Sequence, residues 1–168
     1  MGDLSVTEYA VLGLLAERPS HGFALAKELG ADTEVGRILT VRRPLVYRAL
    51  DRLVEQGLVE PAHIEQGDAG PRRAIHRVTR HGRRRLRCWL QSPVAHVRDV
   101  RIEFLLKLTL LQRSGRSPLG LISAQVDSLQ PTLEALDEEV TTDHVELWRR
   151  NNARAVRAYL EEVVSLYR

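Results

Sequence analysis

The chain has 168 residues, with 25 Lys and Arg against 22 Asp and Glu, a formal net charge of +3. Its 43% hydrophobic and 28% charged content excludes wholesale disorder and a low-complexity or collagen-like chain. No apolar run approaches the roughly 18 to 20 residues that cross a bilayer, and Asp3, Glu8 and Glu17 follow Met1 where a leader would be basic, so the expected location is the cytoplasm. The single cysteine, Cys88, excludes an internal disulfide and a cysteine-based zinc knuckle, and fits a reducing compartment.

The charge is unevenly spread. Residues 1–90 hold 15 Lys and Arg and 11 Asp and Glu, whereas 91–168 hold 10 and 11. Between Arg37 and Arg87, 13 Arg face 5 acids. A basic first half joined to a balanced second half suggests a nucleic-acid module attached to something else.

Ser5-Val6-Thr7-Glu8 reads as a capping box, with Leu4 and Tyr9 as a hydrophobic staple, so a helix starts at Ser5, presents Val11, Leu12, Leu14 and Leu15, and stops at Pro19. Ser20 is the expected cap of a second helix, His21 to Leu29, burying Phe23, Leu25 and Leu29 before Gly30. Signals are weak from Ala31 to Thr40. A third helix opens at Pro44 and runs to Gln56, with Gly57 as its left-handed stop. Val46, Ala49, Leu50 and Leu53 share one arc of it, Arg48, Asp51, Arg52 and Glu55 point away, and Tyr47 sits on the flank. Two extended stretches follow, Leu58–Ile64 and Arg73–Val78, around the turn residues Gly67 to Pro71: a hairpin with a flexible tip. Thr79 then caps a fourth helix to Gln91 with Leu86, Trp89 and Leu90 inward, where Trp89 is expected to pack in the core and Cys88 to be partly buried.

Three helices followed by a hairpin and a helix is the order of a winged helix-turn-helix. The expected fold is mainly α: a winged helix-turn-helix domain with a two-stranded wing over 1–92, then a helical dimerisation region over 93–168. A groove-reading helix needs cations able to reach phosphates on either side. Arg42 and Arg43 at the start of the third helix, Arg48 and Arg52 on its free face, and Arg72 and Arg73 beside the hairpin tip are the candidate DNA contacts. Asp51 and Glu55 confine the groove-facing part to the first two turns.

Val11-Leu12-Gly13-Leu14-Leu15, Pro19-Ser20-His21-Gly22-Phe23, Val46-Tyr47-Arg48-Ala49-Leu50, Leu53 to Val59 and Thr79-Arg80-His81-Gly82 resemble, as an ordered set, the PadR family of bacterial transcriptional regulators. The resemblance implies a winged-helix DNA-binding domain whose recognition helix carries Tyr47, followed by helical dimerisation. Phe104-Leu105-Leu106-Lys107-Leu108 resembles the start of that region in longer-tailed members. It also implies relief by small phenolic or drug-like molecules. Two departures stand out: Ile75 and His76 replace the usual pair of aromatics on the second wing strand, and Arg42-Arg43-Pro44 replaces the usual Ser or Thr before the recognition helix.

In the second half, Asp99–Arg113 is apolar on almost every side, which requires burial by other helices and favours a second chain. Leu119, Ile122, Val126, Leu129, Leu133, Leu136 and Val140 then recur at alternating spacings of three and four, a heptad seam; Pro131 falls off the seam but inside the run, so a kink or short break is expected there. A last helix, Asp143 to Tyr167, carries Trp148, Ala155, Val156, Tyr159, Leu160 and Val163 as its apolar stripe. Phe104, Leu105, Leu108, Ile122, Val126, Leu129, Leu133, Leu136, Trp148, Val156, Tyr159 and Leu160 are the expected dimerisation residues, and Trp148 doubles as a candidate for stacking a planar effector. A twofold homodimer would place two recognition helices about one DNA turn apart on a palindromic operator.

The composite expectation is a homodimeric repressor of double-stranded DNA and not an enzyme, with no cofactor and no metal. His76 and His81 lack a third zinc ligand nearby, no phosphate-binding glycine loop occurs, and Cys88 has no recognisable catalytic setting. Two other classes compete: a winged-helix adaptor whose seam pairs with another protein, and an RNA-binding protein, which the 5% aromatic content disfavours.

Overall fold

The computed structural model describes residues 3–65, 73–138 and 142–167. The chain divides into two compact units, Met1–Trp89 and Leu90–Arg168.

In the first unit, α1 (Val6–Glu17) begins at the expected capping box. Glu8 N–H donates to Ser5 Oγ at 3.3 Å, and Ser5 N–H donates to Glu8 Oε2 at 2.6 Å. Every residue from Glu8 to Leu15 is buried. The helix α2 (Gly22–Glu28) is capped one residue later than expected, by His21, whose Nδ1 accepts the Ala24 N–H at 3.1 Å. Ser20 is engaged elsewhere. Its backbone N–H donates to His76 O and its carbonyl accepts from His76 N–H, at 3.0 and 2.9 Å, forming an isolated antiparallel bridge to the wing. Leu25 and Leu29 are buried as expected, but Phe23 is 44% exposed. Phe23 sits two residues from buried Leu25 and therefore on the other side of α2.

The helix α3 (Arg43–Glu55) buries Val46, Ala49, Leu50 and Leu53, and packs on α1 and α2. Gly57 ends it at φ +67°, a conformation that costs a residue with a Cβ. The wing strands β1 (Val59–Glu65) and β2 (Arg73–Val78) pair antiparallel from Val59 opposite Val78 to Glu65 opposite Arg73, with an irregularity between Pro61 and His63. The expected hairpin tip, Gly67 to Pro71, and Arg72 lie outside the described residues. Thr79 Oγ1 accepts from Gly82 N–H at 3.0 Å at the start of α4 (Arg80–Gln91), where Trp89 is buried and stacks on Tyr9 with centroids 4.2 Å apart. Cys88 lies on the exposed side of α4, not partly buried.

In the second unit, the segment expected as one helix from Asp99 enters through a 3-10 turn (Val97–Asp99) and a wide π turn (Val100–Phe104) before α5 (Leu105–Arg113). Leu106 to Leu111 are all buried. They include Lys107, whose Nζ donates to Ser92 O at 2.8 Å and pairs with Glu103 at 2.7 Å; burial lowers its pKa, and the Glu103 carboxylate opposes that. The helix α6 (Leu119–Glu138) runs unbroken through Pro131, which sits on its exposed side where water can take the carbonyl left without an amide partner. The final helix α7 (His144–Leu166) is capped by Asp143, which accepts from Val145 and Glu146 N–H, and it packs against α6. No described helix is long and apolar enough to cross a membrane.

One buried side chain pins the start of this unit. Gln125 on α6 is fully buried, and its amide makes two bonds to one residue: Oε1 accepts Val94 N–H at 2.7 Å, and Nε2 donates to Val94 O at 3.0 Å. Gln125→Leu leaves both backbone groups without a partner, at about 1 to 3 kcal/mol each. Urea unfolding of the variant should show a loss of about 2 to 6 kcal/mol, against a change within about 0.5 kcal/mol for an ordinary helix-surface substitution.

Candidate nucleic-acid interface

The four buried apolar residues of α3 hold its opposite side in solvent. On that side Arg48 is exposed and makes no ion pair or side-chain hydrogen bond among the described residues. Arg42 is the N-terminal cap residue, with its side chain free of the cap, and Arg43 and Leu45 are exposed in the first turn. Asp51 and Glu55 are exposed further along, as the sequence pattern predicts.

Arg52 differs from the others. Its Nε lies 3.1 Å from Glu8 Oε1, and Glu8 is only 2% exposed. The same carboxylate closes the α1 capping box through its other oxygen, so a single buried acid ties the start of α1 to the third turn of α3. Arg52 therefore carries a structural load that Arg48 does not. An acid this buried needs such a partner, because an isolated carboxylate out of water is costly.

Tyr47 lies across Gly22. A Cβ on Gly22 would fall 2.5 Å from Tyr47 Cε1, so the ring rests where only glycine leaves room. The ring also borders a cavity of about 370 Å³ between α2, α3 and β2, lined in addition by His21, Phe23, Asp51, Arg73 and His76.

The Ser20–His76 bridge brings the start of β2 to the first turn of α2. As a result Arg73 on the wing and Arg43 on α3 both lie over the Phe23 ring, their guanidinium carbons 5.8 and 4.8 Å from its centroid. Both arginines are expected contacts from the sequence, whereas Phe23 is expected in the core. The missed signal was local: in a seven-residue helix, Phe23 and Leu25 cannot both face inward. Exposed Leu45 was missed for want of any pattern distinguishing it from the buried stripe.

The residues that the sequence pattern suggests for dimerisation divide by burial. Phe104, Leu108, Ile122, Leu129, Leu133 and Leu160 are buried within one chain, whereas Leu105, Val126, Leu136, Val156 and Tyr159 are half-buried. Burial raises the pKa of the Tyr159 hydroxyl. Trp148 is 70% exposed, near exposed Val145 and Leu147 on α7. A groove of about 540 Å³ along α6 and α7 is lined by Val126, Leu133, Arg157, Leu160 and Val164, and Trp148 does not line it. Among the described residues no cluster of three or more His, Cys, Asp or Glu is placed to hold a metal.

The Gly22–Tyr47 contact makes a direct prediction. Gly22→Ala should change the melting temperature little, because Ala suits the first turn of a helix and the exposed Tyr47 ring can swing away. The Tyr47 ring resonances should nevertheless move, and unchanged NMR shifts would contradict the contact.

Residues 11–88 match the family described as the Transcriptional regulator PadR-like family. No curated protein sequence matches the chain. Among solved structures, Bacillus subtilis PadR in complex with operator DNA aligns over 98% of this chain and 100% of its own, at 18% identity and a TM-score of 0.52, a likeness of fold. Bacillus subtilis PadR in complex with p-coumaric acid aligns over 97% and 99% at 18% identity and a TM-score of 0.47. The protein smu.1604c from Streptococcus mutans UA159 aligns over 94% and 98% at 17% identity and 0.46. The match spans 78 of the 168 residues and lies within the first unit, whose winged helix is thus similar to that of the transcriptional regulator PadR-like family.

Proposed function

We propose that the chain is a sequence-specific DNA-binding repressor that acts as a homodimer on a palindromic promoter operator and is released by a small aromatic ligand. The observation that carries the DNA reading is the outer side of α3. There Arg42, Arg43 and Arg48 stand exposed around Tyr47 while the opposite side of the helix is the core of its unit. The fold neighbour bound to operator DNA uses the same architecture. Arg73 extends the cationic surface onto the wing, Arg72 precedes it outside the described residues, and Arg52 contributes with the part of its guanidinium that Glu8 leaves exposed.

In this mechanism the first unit reads DNA and the second pairs two copies. The α6 seam is largely spent within the chain, so the pairing surface consists of Trp148, Val145 and Leu147 on α7 together with the half-buried Leu105, Val126, Leu136, Val156 and Tyr159. Phosphate contacts supply most of the affinity, and Arg48 with Tyr47 supplies base discrimination. Bound at a promoter, the dimer blocks transcription. A planar ligand in the second unit, stacked on Trp148, weakens binding by favouring a head spacing that does not fit the operator.

The test starts from an operator selected out of random duplexes by the wild-type protein. Affinity should fall by about 10³ to 10⁵ between roughly 50 and 200 mM salt if six to ten phosphates are neutralised. Arg48→Ala should lose about 1 to 3 kcal/mol of preference for the operator over a scrambled duplex, and an unchanged ratio removes Arg48 from base reading. Light scattering should give twice the 19.0 kDa chain mass for the wild type and a monomer for Trp148→Glu. A wild-type monomer would refute the homodimer.

A further inference from the structure

Arg43 and Arg73 come from different elements, yet both stack on Phe23. Neither pairs with a carboxylate among the described residues; Asp51 lines the neighbouring cavity without an ion pair to either. Two like charges gathered on one aromatic ring repel each other. The ring quadrupole attracts each cation but does not neutralise it, so the pair is left with a net demand for an anion.

His21 points to the same demand by an independent route. Its Nδ1 accepts the Ala24 N–H, so in the neutral ring the proton sits on Nε2. That Nε2 lies 3.4 Å from Arg73 Nη1. A protonated ring nitrogen and a guanidinium N–H are both donors, and two donors at that distance cannot satisfy each other. An oxygen acceptor placed between them bonds to both. The His21 and Phe23 rings lie 6.2 Å apart at 27°, which keeps the imidazole on the same side of α2 as the two guanidiniums.

We propose that Arg43, Arg73 and His21 Nε2 form a seat for one phosphodiester of the DNA backbone, with Phe23 as the positioning residue that holds the two guanidiniums together. The assignment rests on the DNA-binding reading above and adds to it a neutral donor and an aromatic platform. The seat joins recognition helix, scaffold helix and wing at a single phosphate. It therefore sets the docking register and carries no sequence preference of its own.

The test uses the full-length protein and a mixed-sequence duplex three helical turns long, titrated between roughly 50 and 200 mM salt. Phe23→Leu should weaken binding about twofold to fivefold, and Phe23→Tyr should restore it. In an Arg43→Ala, Arg73→Ala background the same Phe23→Leu change should have no further effect, because no guanidinium is left to position. His21→Asn keeps a side-chain acceptor for the α2 cap but removes the Nε2 donor. It should weaken binding at an unchanged salt slope, whereas Arg73→Ala should reduce the slope by about 0.9. Melting temperatures near wild type will separate these effects from misfolding, and Phe23→Met replaces Phe23→Leu if the latter unfolds. Equal weakening by Phe23→Leu in both backgrounds, or none in either, overturns the seat while leaving DNA binding intact. A wild type that binds no duplex overturns both readings.

Discussion

Two backbone hydrogen bonds between Ser20 and His76 govern the geometry of the first unit. They attach β2 to the turn between α1 and α2, so the wing becomes an extension of the scaffold. A two-stranded hairpin alone is marginally stable in water, and this third partner gives it a fixed edge. Everything on the outer surface follows from that attachment. Arg73 arrives beside His21, Phe23 is held under it, and Arg43 closes on the ring from α3. The Ser20 hydroxyl donates to Arg18 O, and the cap of α2 is supplied by His21.

The basic excess between Arg37 and Arg87 is not one uniform field. Arg77 pairs with Glu60 at 2.8 Å, Arg52 with Glu8, and Arg85 donates to Tyr9 Oη at 3.3 Å, which raises its already high pKa. Arg83 reaches the Ala16 carbonyl at 3.5 Å. Several arginines of the stretch therefore serve the scaffold, whereas Arg42, Arg43, Arg48 and Arg73 form no carboxylate pair among the described residues. The Glu8–Arg52 pair also links the α1 cap to α3, so the orientation of α3 depends on a charge buried near the start of the chain.

The second unit solves by internal packing what its sequence pattern suggests for a partner. A heptad seam specifies an apolar stripe without specifying which helix covers it, and α7 covers most of it within the same chain. Outward on α7 lie Val145 and Leu147, and also Trp148, which the stripe pattern would place inward. Pro131 illustrates the same principle. A proline within a helix removes one hydrogen bond, but on an exposed side the freed carbonyl is hydrated and the helix continues. Its place off the apolar seam is what the pattern reports, and the unbroken helix is what the structure adds.

The sequence by itself determined the element order, the core stripe of α3, the capping box at Ser5, the left-handed stop at Gly57, the paired wing strands and the asymmetry of charge. Each is written in contacts a few residues apart, where spacing and backbone chemistry suffice. Tertiary structure alone decided that Phe23 faces outward under two arginines, that His21 and not Ser20 caps α2, that Arg52 is shared with a buried acid, and that the α6 seam is covered by α7. These outcomes depend on partners tens of residues away, and no local period encodes which of two compatible partners a side chain meets. Phe23 shows the division most directly: its spacing from buried Leu25 already turns it away from the core, and only the wing strand carrying Arg73 makes it a platform.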